Sequence, residues 1–339
     1  MDHALVPLGN TVPHALDLAK LRSDLSTLWR EEGRGVSRAC HATLVVVVSP
    51  GEDPQSLLDD LVLTHPSRVL RIEHDPKLPQ TEVVAWASGC CMKRPSGTLV
   101  CSETIHFMVG EDAGRRLPSV IRSLTVGGVP LVVISREISP LGLSWVAELE
   151  GDVDSVVGRS AALTFREGLE LWEAWTHEGR RPPVQDLTWD ELDPWRGIIQ
   201  SRFDRAREVS RLASLSEVRL ESGPGPGHWL EMALLAGWLG SRLRWTEPRK
   251  IEGGRWSVRR AGGETAIVFE RHPEAAGLQQ VTFAFDDRSE PIRWGKDALP
   301  VETPSAPLSR GLHRHDPDPV AWGACRFALE LAEAEGIAR

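Results

Sequence analysis

Thr43–Leu–Val–Val–Val–Val48 limits the architectures open to this chain more than any other stretch, because it is apolar and β-branched without alternation. A strand that faces water on one side alternates apolar and polar residues. A continuous run bounded by Ser49, Pro50 and Gly51 belongs to a strand buried on both faces, and such strands sit in largely parallel sheets. Parallel neighbours need a crossover, and the sequence supplies one. Asp53 and Pro54 give a capping acid and a first-turn proline, Leu57, Leu58, Leu61 and Val62 an apolar face, and residues 68–72 the next strand. Ahead of this βαβ unit, Leu16, Leu18, Leu21, Leu25, Leu28 and Trp29 mark an amphipathic helix that stops near Gly33 and Gly35. After it, 83–87 and 98–108 read as strands joined by a turn at Pro95, Ser96 and Gly97. A short helix is predicted over 117–124, a buried strand over 129–135, a short strand over 153–157 and a helix over 160–175, with Pro182 and Pro183 ending regular structure.

The second half has a different grammar. Residues 216–221 alternate, 222–227 form a Gly/Pro loop, and Trp229, Met232, Leu235, Trp238 and Leu239 recur at helical spacing within 228–245. Residues 253–260, 265–271 and 278–286 read as antiparallel strands separated by Gly-Gly and His-Pro turns. The proline-rich stretch 297–318 reads as loop and 319–335 as a closing helix. A chain of 339 residues is long enough for two cores. The expected fold is therefore α/β: a Rossmann-like first domain over 1–211 with an N-terminal helix and a mainly parallel sheet, then an α+β domain over 212–339 with antiparallel strands.

Between the two grammars lies the most distinctive segment, 186–204. Asp193 can cap and Pro194 fits the first helical position, so a helix is predicted from Pro194 to about Arg207, with Trp195, Ile198, Ile199, Arg202, Phe203 and Ala206 along one stripe. Arg196 follows Trp195 by about 100° and falls at the edge of that stripe. Trp189 precedes the cap, where Thr188 and Glu191 have capping-box spacing, and has no periodic reason to be buried. Packing explains such indoles most simply. Trp and Arg are also the residues that most often dominate interfaces, which makes Trp189, Trp195 and Arg196 candidate partner contacts.

Asp186-Leu-Thr-Trp-Asp-Glu-Leu-Asp-Pro-Trp-Arg196, with its helix ending in Phe203–Asp204, closely resembles the OpcA family, the assembly proteins and allosteric effectors of glucose-6-phosphate dehydrogenase. Arg38-Ala-Cys-His41, His65-Pro-Ser-Arg68, Cys101-Ser-Glu-Thr-Ile105 and the stretch 233–245 carry the same resemblance in the same order. There is one departure: related sequences have paired tryptophans after the strand at 129–135, where this chain has Ser135-Arg136-Glu137. The resemblance implies a non-enzymatic, cofactor-free protein that binds oligomeric glucose-6-phosphate dehydrogenase, favours its active assembly and so supports NADPH supply by the oxidative pentose phosphate pathway. It adds His65 and Arg68 to the candidate partner contacts.

Motifs that carry chemistry are weak. Ser222-Gly-Pro-Gly-Pro-Gly227 sits where phosphate cradles sit, but its two prolines remove backbone donors and no Lys-Ser/Thr pair follows. The loop after the first strand places Glu52 and Asp53 where a pyrophosphate would lie. Cys90, Cys91, Cys101 and His106 lack paired zinc spacing, and the reading favours buried or free thiols. His313 and His315 lie in a Pro-rich stretch, and no nucleophile elbow or Cys/His signature is present. No catalytic or metal residue is assigned. Cys40, flanked by Arg38 and His41, is the best redox candidate, if its neighbours favour the thiolate. A net charge of −9 and a pI near 5.7 give no reason to bind nucleic acid or an anionic membrane. No apolar run approaches the roughly 20 residues of a membrane span and no signal peptide is evident. The five cysteines, odd in number, suit a reducing compartment, so a cytoplasmic location is expected. An unrecognised nucleotide or sugar-phosphate site on the strand ends of the first domain, or a thiol sensor, are the rival readings.

Overall fold

The computed structural model describes the chain except for residues 1–4, 32–35, 39, 49–53, 94–98, 136–143, 150, 163–183, 226, 274–275, 288, 304, 313–317 and 335–339. The turn at 95–97, the helix over 160–175 beyond residue 162, the end of regular structure at 182–183 and the His313–His315 segment lie outside the described residues. The chain divides into two compact units: 1–159 with 180–185 and 303–315, and 160–179 with 186–302 and 316–339.

The first unit contains β1 (Leu5–Asn10), β2 (His14–Ala15), α1 (Leu18–Glu31), β3 (Val36–Arg38), β4 (Thr43–Val48), α2 (Gln55–Thr64), β5 (Arg68–His74), β6 (Val83–Lys93), β7 (Leu99–Val109), α3 (Leu117–Leu124), β8 (Leu131–Ser135), α4 (Ser144–Ala147), β9 (Ser155–Gly158), β10 (Val184–Asp186) and, from later in the chain, α9 (Ala306–Leu312). All six residues of β4 are buried, as its unbroken apolar run requires. Its neighbours are both parallel: Val45 lies opposite Leu70 of β5 and Val133 of β8. The order β1-β6-β7-β5-β4-β8-β9-β10 places β4 in the middle, with β5 and β7 on one side and β8 and β9 on the other. That is the doubly wound arrangement expected of a Rossmann-like sheet. Leu21, Leu25, Leu117 and Ile121 of α1 and α3 pack with Val45, Leu70, Ile105 and Val133 of the sheet.

β6 and β7 are antiparallel to each other and eleven residues long, from Val83 opposite Val109 to Lys93 opposite Leu99. The first was expected to stop at 87, because Ser88-Gly-Cys-Cys91 breaks its apolar pattern. A disulfide continues the pairing where the side chains do not: Cys91 and Cys101 are directly opposite and bonded, with Trp29 and Leu8 packed over them. The expectation of thiols at both positions is corrected accordingly. A second correction concerns α9, which falls inside the stretch read as loop. Ser305, just before it, donates through its hydroxyl to Asp60 of α2, an anchor invisible to local pattern.

The second unit holds α5 (Leu187–Glu191), α6 (Asp193–Arg202), α7 (Ala206–Arg211), β11 (Leu215–Ser222), α8 (His228–Leu243), β12 (Thr246–Glu252), β13 (Arg255–Arg260), β14 (Gly263–Arg271), β15 (Leu278–Phe285), β16 (Ile292–Gly295) and α10 (Pro319–Ala334). Its sheet runs β12-β13-β14-β11-β15-β16 and is antiparallel except between β11 and β14. β12 escaped the sequence reading because it is an edge strand, almost wholly exposed and carrying Pro248, so there is no alternation to read. Residues 232–240 of α8 are all buried, and Gly237 lies so close to α10 that a Cβ would run into the Ala324 carbonyl. Phe203, Phe283 and Trp294 form an aromatic cluster, the last two edge-to-face at 5.1 Å. The segment 186–211, assigned by sequence to the first domain, is counted with this unit, because Trp189, Trp195, Ile199 and Phe203 all enter its core. No helix among the described residues is long and apolar enough to cross a membrane.

Candidate functional site

Two buried polar networks gather the residues singled out by sequence, one in each unit. In the second unit, Asp186 caps α5 by accepting from the Thr188 amide at 3.0 Å, and it also accepts from the amide and hydroxyl of Ser160. Thr188 in turn accepts from the Ala161 amide at 2.8 Å, so the cap comes from Asp186 and not from a Thr188–Glu191 box. Leu192 already has helical dihedrals and forms the cap position of α6. Asp193 is therefore inside the first turn and does not cap. It accepts instead from Arg196 Nη2 at 2.7 Å. The helix ends at Arg202, earlier than the expected Arg207, with Phe203 turned to φ −108° and its ring in the core.

Trp189 and Arg196 are 3% and 6% exposed, which corrects the expectation that the first projects and the second reaches outward. The Arg196 guanidinium lies 3.7 Å from the Trp189 ring centroid and donates to the Trp189 carbonyl at 2.7 Å. Burial lowers the Arg196 pKa from its ordinary value, against the pull of Asp193, Asp190 and Asp318. Trp189 Nε1 donates to Asp318 at 3.0 Å, and the other Asp318 oxygen accepts from the Val320 amide in the first turn of α10. Trp195, 3% exposed, packs in the same core. Through these contacts Trp189 and Arg196 tie α5 and α6 to the start of α10. Asp318 had no sequence signal beyond its place just before a proline-initiated helix.

In the first unit, Glu103 of β7 is the centre. It accepts from Trp29 Nε1 at 2.8 Å and from Arg68 Nε at 2.5 Å, and Arg68 Nη1 donates to the Leu124 carbonyl at 2.6 Å. Arg68 thus braces β5 against the end of α3. His65 is half-buried, with Nδ1 at 2.9 Å from the Thr64 hydroxyl and 3.4 Å from that of Ser309. Cys40 is half-buried too, with its thiol 3.3 Å from the Ala42 carbonyl. Burial raises its pKa; Arg68 opposes this without reversing it. The thiolate expected from neighbouring cations is corrected, since desolvation is the larger effect. One row across three strands, Trp86, His106 and Arg71, was not read from sequence. The indole and imidazole stack at 4.8 Å, Ser88 bonds His106 Nε2 at 2.8 Å, and burial, with Arg71 adding to it, lowers the His106 pKa to about 4. The alternative zinc set loses Cys91 and Cys101 to the disulfide. Among the described residues no cluster of three His, Cys, Asp or Glu could hold a metal.

The glycine loop before α8 also has a structural reason. A Cβ on Gly227 would meet the backbone of Ala161, so close approach, not a phosphate, accounts for that glycine. Glu231 occupies the first turn of the helix, where an anion would otherwise sit. The more accessible surface feature is a hollow of about 280 Å³ between the end of α8 and α10, lined by Arg244, Glu247, Trp322, Arg326 and others. Trp322 is 46% exposed and lies under the Arg326 guanidinium at 5.1 Å.

Residues 182–321, which include the whole Trp189–Arg196 segment, match the family described as the C-terminal domain of the glucose-6-phosphate dehydrogenase subunit. Two curated relatives, both described as "Putative OxPP cycle protein OpcA", are similar: one from Synechocystis sp., 22% identical over 201 residues, and one from Nostoc punctiforme, 25% identical over 197. Residues 182–321 thus resemble a domain of that family, and the chain is similar to OpcA proteins. The alignments take in 58% and 56% of this chain but only 41% and 40% of those OpcA proteins, so the chain spans about two fifths of the curated relatives it matches. Among solved structures, a WlbA dehydrogenase from Thermus thermophilus with NAD and UDP-GlcNAcA bound is similar at 11% identity and a TM-score of 0.46, over 86% of this chain and 94% of that one.

Proposed function

We propose that this chain is an OpcA-family, non-enzymatic partner of glucose-6-phosphate dehydrogenase that favours the enzyme's assembled, active form and so supports the oxidative pentose phosphate pathway and NADPH supply. The observation that carries the reading is the match of 182–321 to a family described as a domain of a subunit of that enzyme. The names of the two relatives point the same way. Such an effector needs no active site. It must bind one state of the enzyme better than another, and a coupling of about 1–3 kcal/mol changes apparent affinity roughly 5–150-fold. Trp189, Trp195 and Arg196 enter this reading as positioning residues that set the shape of the second unit, because all three are buried. His65 and Arg68 are candidates for contact or for bracing in the first. A cytoplasmic site of action goes with the reading, with no nucleic acid or membrane partner.

The test is a titration of purified glucose-6-phosphate dehydrogenase with the full chain. A saturable fall in the apparent KM for glucose 6-phosphate, or a saturable rise in kcat, together with comigration on gel filtration, is the expected result. The chain alone should reduce no NADP. Unchanged kinetic constants and no comigration would refute the proposal.

A further inference from the structure

The sheet of the second unit has two unlike faces. One is covered by α8 and α10 and carries Trp256, Ile267, Phe283 and Trp294 into the core. Among the described residues the side chains of the other face are half-buried or exposed, except Val268, which is buried. In the middle of that face Glu217 is flanked by Ala266 and Ala284 in one row, and Arg219 by Val268 and Thr282 in the next. On this face of β13, β14, β11, β15 and β16 the charges balance. Glu217, Glu221, Glu264 and Glu270 are matched by Arg219, Arg255, Arg259 and Arg293. Arg255, Glu217, Arg219 and Glu270 are already joined into one chain of ion pairs, so these side chains are ordered before any partner arrives.

We infer that this open face pairs two copies of the chain, sheet against sheet. The occupant follows from charge. Each copy carries a net charge of −9, so two copies repel over most of their surface, and a locally neutral face is where they meet without accumulating charge. Along β11 the open face reads Glu217, Arg219, Glu221, alternating in sign. A twofold axis lying in the interface, across the strands and between Arg219 and either glutamate, sets Arg219 of each copy over a glutamate of the other. The contact is therefore self-complementary, as a twofold interface must be. The small residues that flank β11 leave room for its charged side chains beneath a second sheet at the ~10 Å spacing of packed sheets. Those five strands at ~4.8 Å and about seven residues of ~3.3 Å give a face of roughly 550 Å² in projection, the scale of the ~800 Å² per partner of a standard interface.

Sedimentation equilibrium of the full chain from about 1 to 100 μM tests it. The expected mass is twice 37.4 kDa, falling toward the monomer as salt is raised. Arg219→Glu, which leaves three acids in a row, should weaken the dimer at least tenfold. Far-ultraviolet circular dichroism reports folding. If Arg219→Glu does not fold, Ala284→Arg, which keeps the ion pairs and adds bulk and charge to the face, carries the comparison. A wild-type monomer at 100 μM, or a dimer as tight in the folded face variants as in wild type, overturns the inference.

Discussion

Arg196→Ala should unfold the second unit more readily without touching any partner. The guanidinium is 6% exposed and does three things: it stacks on Trp189 at 3.7 Å, donates to the Trp189 carbonyl at 2.7 Å and pairs with Asp193 at 2.7 Å. Losing a charge-assisted bond to a buried carbonyl costs about 1.5–3 kcal/mol, and a desolvated cation–π contact about 1–2 kcal/mol. The Asp193 side chain is 41% exposed, so that pair adds at most ~1 kcal/mol. Together, about 3–5 kcal/mol is expected, or roughly 10 °C in Tm for a unit of this size. Arg196→Lys keeps the charge but not the flat fork that stacks and donates at once, and should lose about half as much. Trp189→Phe, which abandons the Asp318 oxygen at 3.0 Å, should cost about 1–3 kcal/mol and couple to Arg196→Ala in a double-mutant cycle. The assay is urea unfolding followed by circular dichroism, with dehydrogenase activation measured well below the midpoint. An unchanged Arg196→Ala midpoint accompanied by lost activation would refute the reasoning and return this segment to the interface.

Further outcomes follow from three other sites. The folded His106 pKa of about 4 lies below the unfolded value near 6.5, so its contribution is complete above pH 6.5 and is lost as pH falls toward 4. It amounts to about 3 kcal/mol, and His106→Gln should flatten that part of a stability–pH curve. Thiol titration of denatured, unreduced protein should find three of the five cysteines, Cys40, Cys90 and Cys325. Opening the Cys91–Cys101 bridge, ten residues apart, should lower stability by about 3 kcal/mol on the chain-entropy account; five thiols and no loss on reduction would contradict both. Gly237→Ala, favourable by ~1 kcal/mol on helix propensity alone, should prevent α8 and α10 from closing, because its Cβ meets the Ala324 carbonyl; a wild-type melting curve would refute that packing.

Much of the fold was legible because local pattern and global burial agree there. The unbroken run of β4 reported a strand covered on both faces, and the spacing of Trp229 to Leu239 reported a core helix. What was not legible depended on partners far along the chain. β12 has no buried face to write into its sequence, and α9 is anchored by an aspartate 245 residues earlier than its Ser305. The second half of β6 is paired through a disulfide that its own residues do not announce.

The exposure of Trp189 and Arg196 was not legible for a related reason. Periodicity says which face of a helix a residue occupies, but says nothing of what lies beyond that face. Arg196 was placed correctly at the edge of the Trp195 stripe; the edge is closed by Trp189 above it and Asp318 from the start of α10. A buried guanidinium that must stack, donate to a carbonyl and meet a carboxylate tolerates few substitutions, and an indole that must both carry it and donate to Asp318 tolerates fewer. The residues that carry the resemblance to OpcA proteins are thus packed inside their own unit. Recognition of this segment consequently locates the scaffold. On the proposed function, the surface for a dehydrogenase is to be sought among exposed groups such as Trp322 and Arg326, where charge and area, and not helical spacing, select a partner.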